Sequence, residues 1–214
     1  MPPAPSDLRT VAFVDGQNLF HAARAAFGHQ HPNYDIKALA QIVCRQRGWR
    51  LTEHRFYTGI PEPADDLFWH RFWAAKLLAM SRSGTRVFSR GLRYRRKAVV
   101  LPPCSEFGAM AGRPYQFMAG EEKGIDVRIS LDIIRMARRR EYDVALVFSQ
   151  DQDLSEVADE IRVIAREQKR WISIASAFPS SPTVRNKRGI DKTDWIKIDR
   201  RTYDSCLDPH DYRN

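Results

Sequence analysis

Acidic side chains follow two apolar runs of this sequence, close to the point where each run ends. Asp15 ends the first apolar run, and Asp151 and Asp153 come shortly after a later one. Asp126 begins an apolar pattern with helical spacing. In open parallel sheets, ligand sites form beyond the carboxyl ends of the strands. We therefore expect these four carboxylates to lie at one edge of a sheet.

Carboxylates without a nearby set of cysteines or histidines are the ligands that a hard cation such as Mg²⁺ or Mn²⁺ prefers. Such a cation can lower the pKa of a bound water and stabilise the charge that grows on a phosphate during in-line attack. Taken singly, Asp15, Asp126 and Asp153 could each be only a turn residue or a helix cap. The set as a whole favours a metal or phosphate site, and the single-residue alternatives stay open.

The composition indicates one globular domain with an attraction for polyanions. The chain has 214 residues, of which 43% are hydrophobic and 29% charged, and its formal net charge is +9. Cys44, Cys104 and Cys206 lie outside any C-x-x-C pair, which argues against a zinc ribbon or a disulfide scaffold and favours the reducing cytoplasm. No apolar run reaches the roughly 20 residues that span a bilayer, so we expect no membrane association. The basic excess favours a polyanionic partner.

Strand-like and helix-like segments alternate along the chain, which predicts an α/β sandwich with a mainly parallel sheet. Asp35 is placed to cap the second helix. The predicted strands cover residues 9–14, 49–58, 85–89, 143–148, 171–175 and 195–198, and the predicted helices cover 19–27, 36–43, 64–81, 127–140 and about 153–168.

Two segments depart from this regular order. Residues 90–119 are rich in Gly, Pro and Arg, and we interpret them as an extended loop or a hairpin insertion. Residues from about 179 onward begin with a Pro- and Ser-rich stretch and are expected to pack back on the domain. We therefore predict a single domain over residues 1–214 that carries an insertion and a C-terminal extension.

Three segments resemble, in the correct order, the motifs of NYN domains, the PIN-like nuclease group that includes LabA-like proteins. Residues 11–19 read VAFVDGQNL and resemble an apolar strand that ends in D-G-x-N. Residues 123–127 read KGIDV and resemble the K-G-x-D-V segment of the family. Residues 142–153 read YDVALVFSQDQD and resemble the Y-D-x-A-x-L-x-S-G-D-x-D motif. The resemblance implies a PIN-like three-layer fold and metal-dependent cleavage of RNA.

The resemblance also implies roles for the acidic residues. Asp15, Asp126, Asp151 and Asp153 would ligate or position one or two divalent ions, Mg²⁺ or Mn²⁺, directly or through water. Asp132, six residues beyond Asp126, would be a supporting acid or an additional ligand.

Three further residues of the motifs would support these acids. Asn18 would orient Asp15 or the substrate phosphate, and Ser149 would shape the turn that presents the later acids. Lys123 would contact phosphate or pair with the acidic cluster, although a solvated loop charge is the equally weighted alternative.

A basic segment offers a binding track for single-stranded RNA. Seven basic residues and no acid lie between Arg82 and Lys97, interleaved with Phe88 and Tyr94. Arginine forks can pair with phosphates while unstacked bases lie on aromatic rings. The alternative is a solvated basic loop. The residues predicted to bind RNA are Arg90, Arg93, Tyr94, Arg95, Arg96 and Lys97.

The sequence departs from the family pattern at Gln150 and Leu154, where the family usually has Gly and Phe. Gln150 could alter the turn that aims Asp151. The rival hypothesis is therefore a non-catalytic RNA-binding or regulatory adaptor that keeps the fold. A Mg²⁺-dependent phosphatase is a more distant option, because the opening D-x-D-x-[TV] is absent after the first strand. Trp69 and Trp73 lie on one broadly apolar helix, which is either core or the contact of a homodimer.

Overall fold

The computed structural model describes residues 2–100 and 114–213. The chain alternates strands and helices for much of its length, but three described strands follow one another between residues 86 and 121, and two more do so between residues 173 and 198. The elements are β1 (Arg9–Asp15), α1 (Gly16–Phe27), α2 (Ile36–Arg47), β2 (Arg50–Ile60), α3 (Leu67–Arg82), β3 (Arg86–Gly91), β4 (Arg93–Val100), β5 (Pro114–Glu121), α4 (Ile125–Arg138), β6 (Val144–Phe148), a 3₁₀ turn (Gln152–Leu154), α5 (Ser155–Glu167), β7 (Ser173–Pro179), β8 (Asp194–Ile198) and α6 (Arg200–Asp204).

Six strands form one parallel sheet in the order β3-β2-β1-β6-β7-β8. The chain builds outward from β1 in one direction, and then returns to place β6 on the other side of β1. This reversal is a topological switch point, and in open parallel sheets it opens a crevice at the carboxyl ends of the two central strands. The fold therefore offers a ligand site where β1 and β6 end.

Helices cover both faces of the sheet, because the central strands are apolar on both faces. In β1, Ala12 and Val14 pack with α1, α2 and α3 in one core, while Val11 and Phe13 pack with α4 and α5 in a second core. Alternate side chains of a strand point to opposite faces, so the continuous apolar run of β1 feeds both cores. This arrangement confirms the predicted α/β three-layer sandwich with a parallel central sheet.

The turn from β1 into α1 leaves no room for a side chain at its first helical residue, Gly16. Asp15 caps α1, because its side chain accepts the backbone N–H of Asn18. The helix begins at Gly16, and a Cβ added there would lie 2.4 Å from the Phe56 ring and 3.0 Å from the Tyr57 carbonyl oxygen. Glycine at this position therefore lets α1 start directly over β2 and holds Asp15 at the sheet edge.

The segment at 90–119 is the region in which the two sequence interpretations differed. Arg90 belongs to the end of β3, and residues 93–100 and 114–121 pair as an antiparallel hairpin separate from the main sheet. These residues form a hairpin and not an extended loop, while residues 101–113 lie outside the described part of the chain.

The chain after β7 returns to the sheet. Strand β8 pairs with β7 in parallel and extends the sheet at that side, and α6 follows it. Further on, Asp208 contacts the buried ammonium group of Lys76 in α3 at 2.9 Å. Within the described ranges, no helix is long and apolar enough to cross a membrane.

Candidate active site

A cavity of about 510 Å³ opens at the carboxyl ends of β1 and β6. Acidic side chains from four different parts of the chain reach it. Because β1 and β6 are neighbours at the switch point, the residue that ends β1 faces the turn that follows β6. The lining residues are Asp15, Gln17, Asn18, His21, Glu122, Lys123, Gly124, Ile125, Asp126, Val127 and Asp151.

Asp15 is the most buried of these carboxylates, with only 6% of its surface exposed. One carboxylate oxygen accepts the Asn18 N–H at 3.0 Å, and the other accepts the Ser149 hydroxyl at 3.4 Å. Burial raises the pKa of Asp15 to about 6, and the negative charges of Asp151 and Asp126 act in the same direction against these hydrogen bonds. The site therefore holds like charges close together.

Ser149 links the two central strands at this edge. Its hydroxyl donates to Asp15 and accepts the backbone N–H of Asp151 at 3.1 Å. Its carbonyl oxygen accepts the Ser176 hydroxyl of β7 at 2.7 Å. Ser149 is thus hydrogen-bonded both to Asp15 and to the turn that carries Asp151.

Asn18 holds the same turn from the opposite side. Its side-chain oxygen accepts the backbone N–H of Gln150 at 2.9 Å. Two hydrogen bonds therefore join the start of α1 to the turn after β6. One runs from the Gln150 N–H to Asn18, and the other runs from the Ser149 hydroxyl to Asp15.

Glu122 is a cavity residue that the sequence analysis did not identify. It follows β5, and its carboxylate accepts the backbone N–H of Gly59 in β2. Burial raises the pKa of Glu122 to about 7, with further contributions from the charges of Asp15 and Asp126. The only sequence signal was its position directly before Lys123, and it carried little weight because no strand was predicted to end there.

Asp126 and Lys123 line the cavity at the start of α4. Asp126 is in the first turn of α4, where a negative charge is favoured by the helix dipole. Lys123 is exposed at the rim and makes no ion pair within the described part of the chain. Its ammonium group is therefore available to an anion that enters the cavity.

Asp153 lies outside the group that lines the cavity. It is exposed in the 3₁₀ turn, and its backbone N–H donates to the Asp151 carboxylate at 3.0 Å. The contact helps to hold Asp151, whereas the carboxylate of Asp153 itself faces solvent.

The structure does not bring Asp132 to the cavity. It is six residues beyond Asp126 along α4, which is less than two helical turns and about 9 Å, and only 2% of its surface is exposed. Its oxygens are occupied by Tyr57 Oη at 3.0 Å and by three guanidinium groups, those of Arg55, Arg128 and Arg135, at 2.8 to 3.1 Å. This ion cluster joins α4 to β2, so the expectation of a supporting acid beside the other carboxylates does not match the position of Asp132.

The donor chemistry of the cavity fits a divalent cation that keeps part of its water shell. All the acidic donors are oxygens, and the raised pKa values of Asp15 and Glu122 come in part from like charges that a cation would neutralise. Among the described residues, no three His, Cys, Asp or Glu side chains converge closely enough to hold a metal ion together. Mg²⁺ commonly uses one or two carboxylates together with waters and substrate phosphate, so the carboxylates present meet its requirements.

Gln150 and Gln152 connect the turn after β6 to a basic loop. The Gln150 amide donates to the Arg188 carbonyl oxygen at 2.6 Å and to that of Asn186 at 3.5 Å. The Gln152 amide donates to the Gly189 carbonyl oxygen at 2.9 Å. The residue that replaces the usual glycine of the motif therefore tethers the 186–189 loop beside Asp151.

The residues predicted to bind RNA are divided between two places. Arg90 lies beside the cavity residue Gly124, since its guanidinium group is 2.7 Å from the position that a Cβ of Gly124 would take, and it lies 5.3 Å from the centre of the Phe88 ring. The others are on β4, where Tyr94 points to one face of the hairpin and Arg93 and Arg95 point to the other. On the Tyr94 face, its neighbours along β4 are Arg96 and Ala98, and on the opposite face Lys97 follows Arg95.

Comparisons with known proteins identify the family and the fold. Residues 9–187 match the NYN domain family. A solved structure of a protein of unknown function from Vibrio parahaemolyticus is similar over 93% of this chain and 98% of its own, with 17% sequence identity and a TM-score of 0.53. The MurG structure from Acinetobacter baumannii aligns with 89% of this chain and 45% of its own, at 10% identity and a TM-score of 0.32. No curated protein matches the chain.

Proposed function

Because the chain belongs to the NYN domain family, part of the PIN-like nuclease superfamily, we propose that it is a ribonuclease that uses Mg²⁺ or Mn²⁺. The family generally has nuclease activity and typically binds RNA. The proposed reaction is attack of water on a phosphodiester bond of single-stranded or loop RNA. The proposal takes residues 1–214 as one functional domain and places the activity in the cytoplasm, where the buried free thiols of Cys44 and Cys206 would stay reduced.

The observation that carries this proposal is the convergence of Asp15, Glu122, Asp126 and Asp151 on one cavity at the switch point of the sheet. Burying several carboxylates together is costly unless a cation or a proton compensates them. A cluster of carboxylates is therefore not expected from fold stability alone, whereas a site that binds a cation and acts on phosphate requires one.

In the proposed mechanism, one or two of the carboxylates of Asp15, Asp126 and Asp151 hold the cation directly and the others act on it through water, while Glu122 adds negative charge beside them. When bound, the cation would activate water and offset the charge that develops on the phosphate. Asn18 and Ser149 maintain the orientation of Asp15 and of the turn that carries Asp151.

Other residues of the chain would position the substrate. Lys123 at the rim and Arg90 next to Gly124 contact the phosphate backbone as it enters the cavity. Asp153 acts on Asp151 by restraining the 3₁₀ turn. A positioned substrate lowers the entropic cost of reaching the transition state.

The test is cleavage of end-labelled single-stranded and hairpin RNAs with Mg²⁺ or Mn²⁺. We expect metal-dependent products from the wild type, none with EDTA, and a loss of at least about 100-fold in rate for Asp15→Asn and Asp126→Asn. Asp65→Asn, which changes an exposed acid that is not among the residues lining the cavity, is the matched control and should cleave like the wild type. Equal cleavage by all four proteins would refute the proposed site.

The second candidate function is a non-catalytic RNA-binding adaptor. It is favoured by the observation that no three candidate ligands within residues 2–100 and 114–213 converge on one point. Tight RNA binding without cleavage under any metal condition would support this function over the ribonuclease. A homodimer through the apolar side of α3, where Leu67, Phe68 and Leu78 are exposed, stays a prediction.

A further inference from the structure

We propose that one face of the β4–β5 hairpin is a stacking platform for single-stranded RNA, with Tyr115 and Phe117 as the base-contacting residues. The inference rests on the proposed ribonuclease function, since it names where the substrate lies outside the catalytic cavity. Neither aromatic residue belongs to the basic segment that the sequence singles out.

The rings of Tyr115 and Phe117 form an exposed aromatic surface. Tyr115 and Phe117 are two residues apart on β5, so they share a face. Their ring centroids are 6.2 Å apart and their planes differ by 16°. Tyr115 is 46% exposed and Phe117 is 40% exposed. Two nearly parallel exposed rings offer π-faces to successive bases, and such stacking tolerates any base sequence.

Basic side chains lie beside the rings on the same face. In the antiparallel register, Lys97 is directly opposite Phe117 and Arg95 is opposite Ala119, and residues opposite one another share a face. With Arg93 this face carries three positive side chains. The acid on the face is Glu121, which pairs with Lys97 at 3.0 Å and with Arg95 at 3.7 Å. Exposed pairs of this kind contribute little and exchange readily for phosphate.

The opposite face of the hairpin is less suited to RNA. Tyr94 lies there against Gly120, with 3.3 Å between its ring and the position that a Cβ of Gly120 would take. Burial raises the pKa of Tyr94, and the charges of Asp65, Asp66 and Glu62 add to the effect. Among the strand residues of the hairpin, this face carries one positive side chain, Arg96, against three on the face of Tyr115 and Phe117. Charge complementarity therefore selects the face of Tyr115 and Phe117.

The platform is continuous with the cavity. Strand β5 runs from Tyr115 and Phe117 to Glu121, and the next residue, Glu122, lines the cavity. Phe117 is about 17 Å along the strand from Glu122. An RNA chain that enters the cavity can therefore continue along the hairpin, with its phosphates near Arg95 and Lys97 and its bases on the rings.

The test is the affinity of a single-stranded oligouridine RNA of about 12 nucleotides, a length within the range that stacking surfaces bind, measured by fluorescence anisotropy in EDTA so that no cleavage occurs. We expect Tyr115→Ala/Phe117→Ala to weaken binding about tenfold or more. Phe117→Tyr keeps a π-face and should bind like the wild type. Met118→Ala, at an exposed neighbouring position on the opposite face, is the matched control.

Unchanged affinity of the double variant would overturn the platform, and so would an equal loss of affinity in Met118→Ala. Equally tight binding of the same RNA annealed into a duplex would also overturn it, because the bases of a duplex cannot stack on protein. A change of oligomeric state in the double variant, with RNA affinity kept, would assign the face to a second copy of the chain and also overturn it. Cleavage with Mn²⁺ is measured separately. Weakened binding by the double variant, with no cleavage even by the wild type, would support the platform and refute the ribonuclease.

Discussion

Replacing Asp132 by asparagine should destabilise the fold while sparing the chemistry of the cavity. The carboxylate is 3% exposed and is the shared partner of Arg55, Arg128 and Arg135. The substituted side chain would keep the shape of the aspartate but leave the guanidinium group of Arg55, 11% exposed, with Glu53 at 2.6 Å as its remaining counter-charge. Tyr57 would still have an oxygen to which it can donate.

The loss in the free energy of unfolding depends on how deeply each ion pair of Asp132 is buried. Breaking a buried ion pair costs about 3–5 kcal/mol. Because Arg55 keeps its ion pair with Glu53, the loss of its pair with Asp132 lies at the lower end of that range, about 3 kcal/mol. The pairs with Arg128 and Arg135 are 36% and 46% exposed on the arginine side, so solvent reduces each to about 0–1 kcal/mol. We therefore expect Asp132→Asn to lower the free energy of unfolding by about 4 kcal/mol, which corresponds to a fall in Tm of about 8–16 °C at this chain length.

Urea denaturation followed by tryptophan fluorescence measures this change, and RNA cleavage well below the Tm measures the chemistry. Asp65→Asn is the control for loss of one exposed acid and should shift the free energy by less than about 0.5 kcal/mol. A loss of less than about 1 kcal/mol, together with a tenfold or larger loss of cleavage, would refute the structural role and place Asp132 in the catalytic site.

Two further predictions concern the pH dependence of stability and the loop beside the cavity. Burial works against ionisation of Asp143, but its hydrogen bonds to Arg9 outweigh burial and lower its pKa below 3.8. A lowered pKa gives stability that is present above pH 3.8 and is lost as the pH falls through the folded-state pKa. Asp143→Asn should thus be less stable at pH 7 by about 2 kcal/mol, and urea titrations should find this gap closing below pH 3.8; a gap independent of pH would contradict the assignment. Gln150→Ala should speed tryptic cleavage after Arg185, Lys187 and Arg188, because it removes the side-chain hydrogen bonds to that loop, whereas Gln116→Ala on the hairpin should not; identical digestion time courses would show that Gln150 does not hold the loop.

Local patterns were sufficient to predict most of the elements and three of the four acids that line the cavity, Asp15, Asp126 and Asp151. The apolar runs of β1 and β6 are continuous because both faces of these strands are covered, and such runs are visible in sequence. Asp15 and Asp151 follow directly from where the runs end. The cap at Asp35 was predicted and is confirmed, since its carboxylate accepts the N–H groups of Lys37 and Ala38. Capping joins neighbours in the chain, so sequence contains the whole interaction.

Long-range contacts decided the rest. Glu122 became a cavity residue through a hydrogen bond to Gly59, 63 positions away, and no periodic pattern marks such a partner. Asp132 has the same residue type as Asp126 and lies on the same helix, yet one turn of that helix meets Arg55 and another meets the cavity. Gln150 occupies a position where the family usually has glycine, and the sequence suggested only that it could alter the turn. In the structure its side-chain amide donates to the backbone of a loop nearly 40 residues further along the chain.

The sequence by itself therefore determined most of the strands and helices of the main sheet and its covering layers, the residues that end the central strands, and the family to which the chain belongs, because apolar periodicity, caps and short motifs act within a few residues. Only the tertiary structure decided that β6 returns to lie beside β1, which brings Asp15 and Asp151 to one cavity. It also decided which face of the hairpin carries Tyr115 and Phe117 with Lys97. The physical reason is that strand pairing and helix packing join positions remote in the chain, and the energy of those contacts depends on the whole assembled core rather than on any one segment.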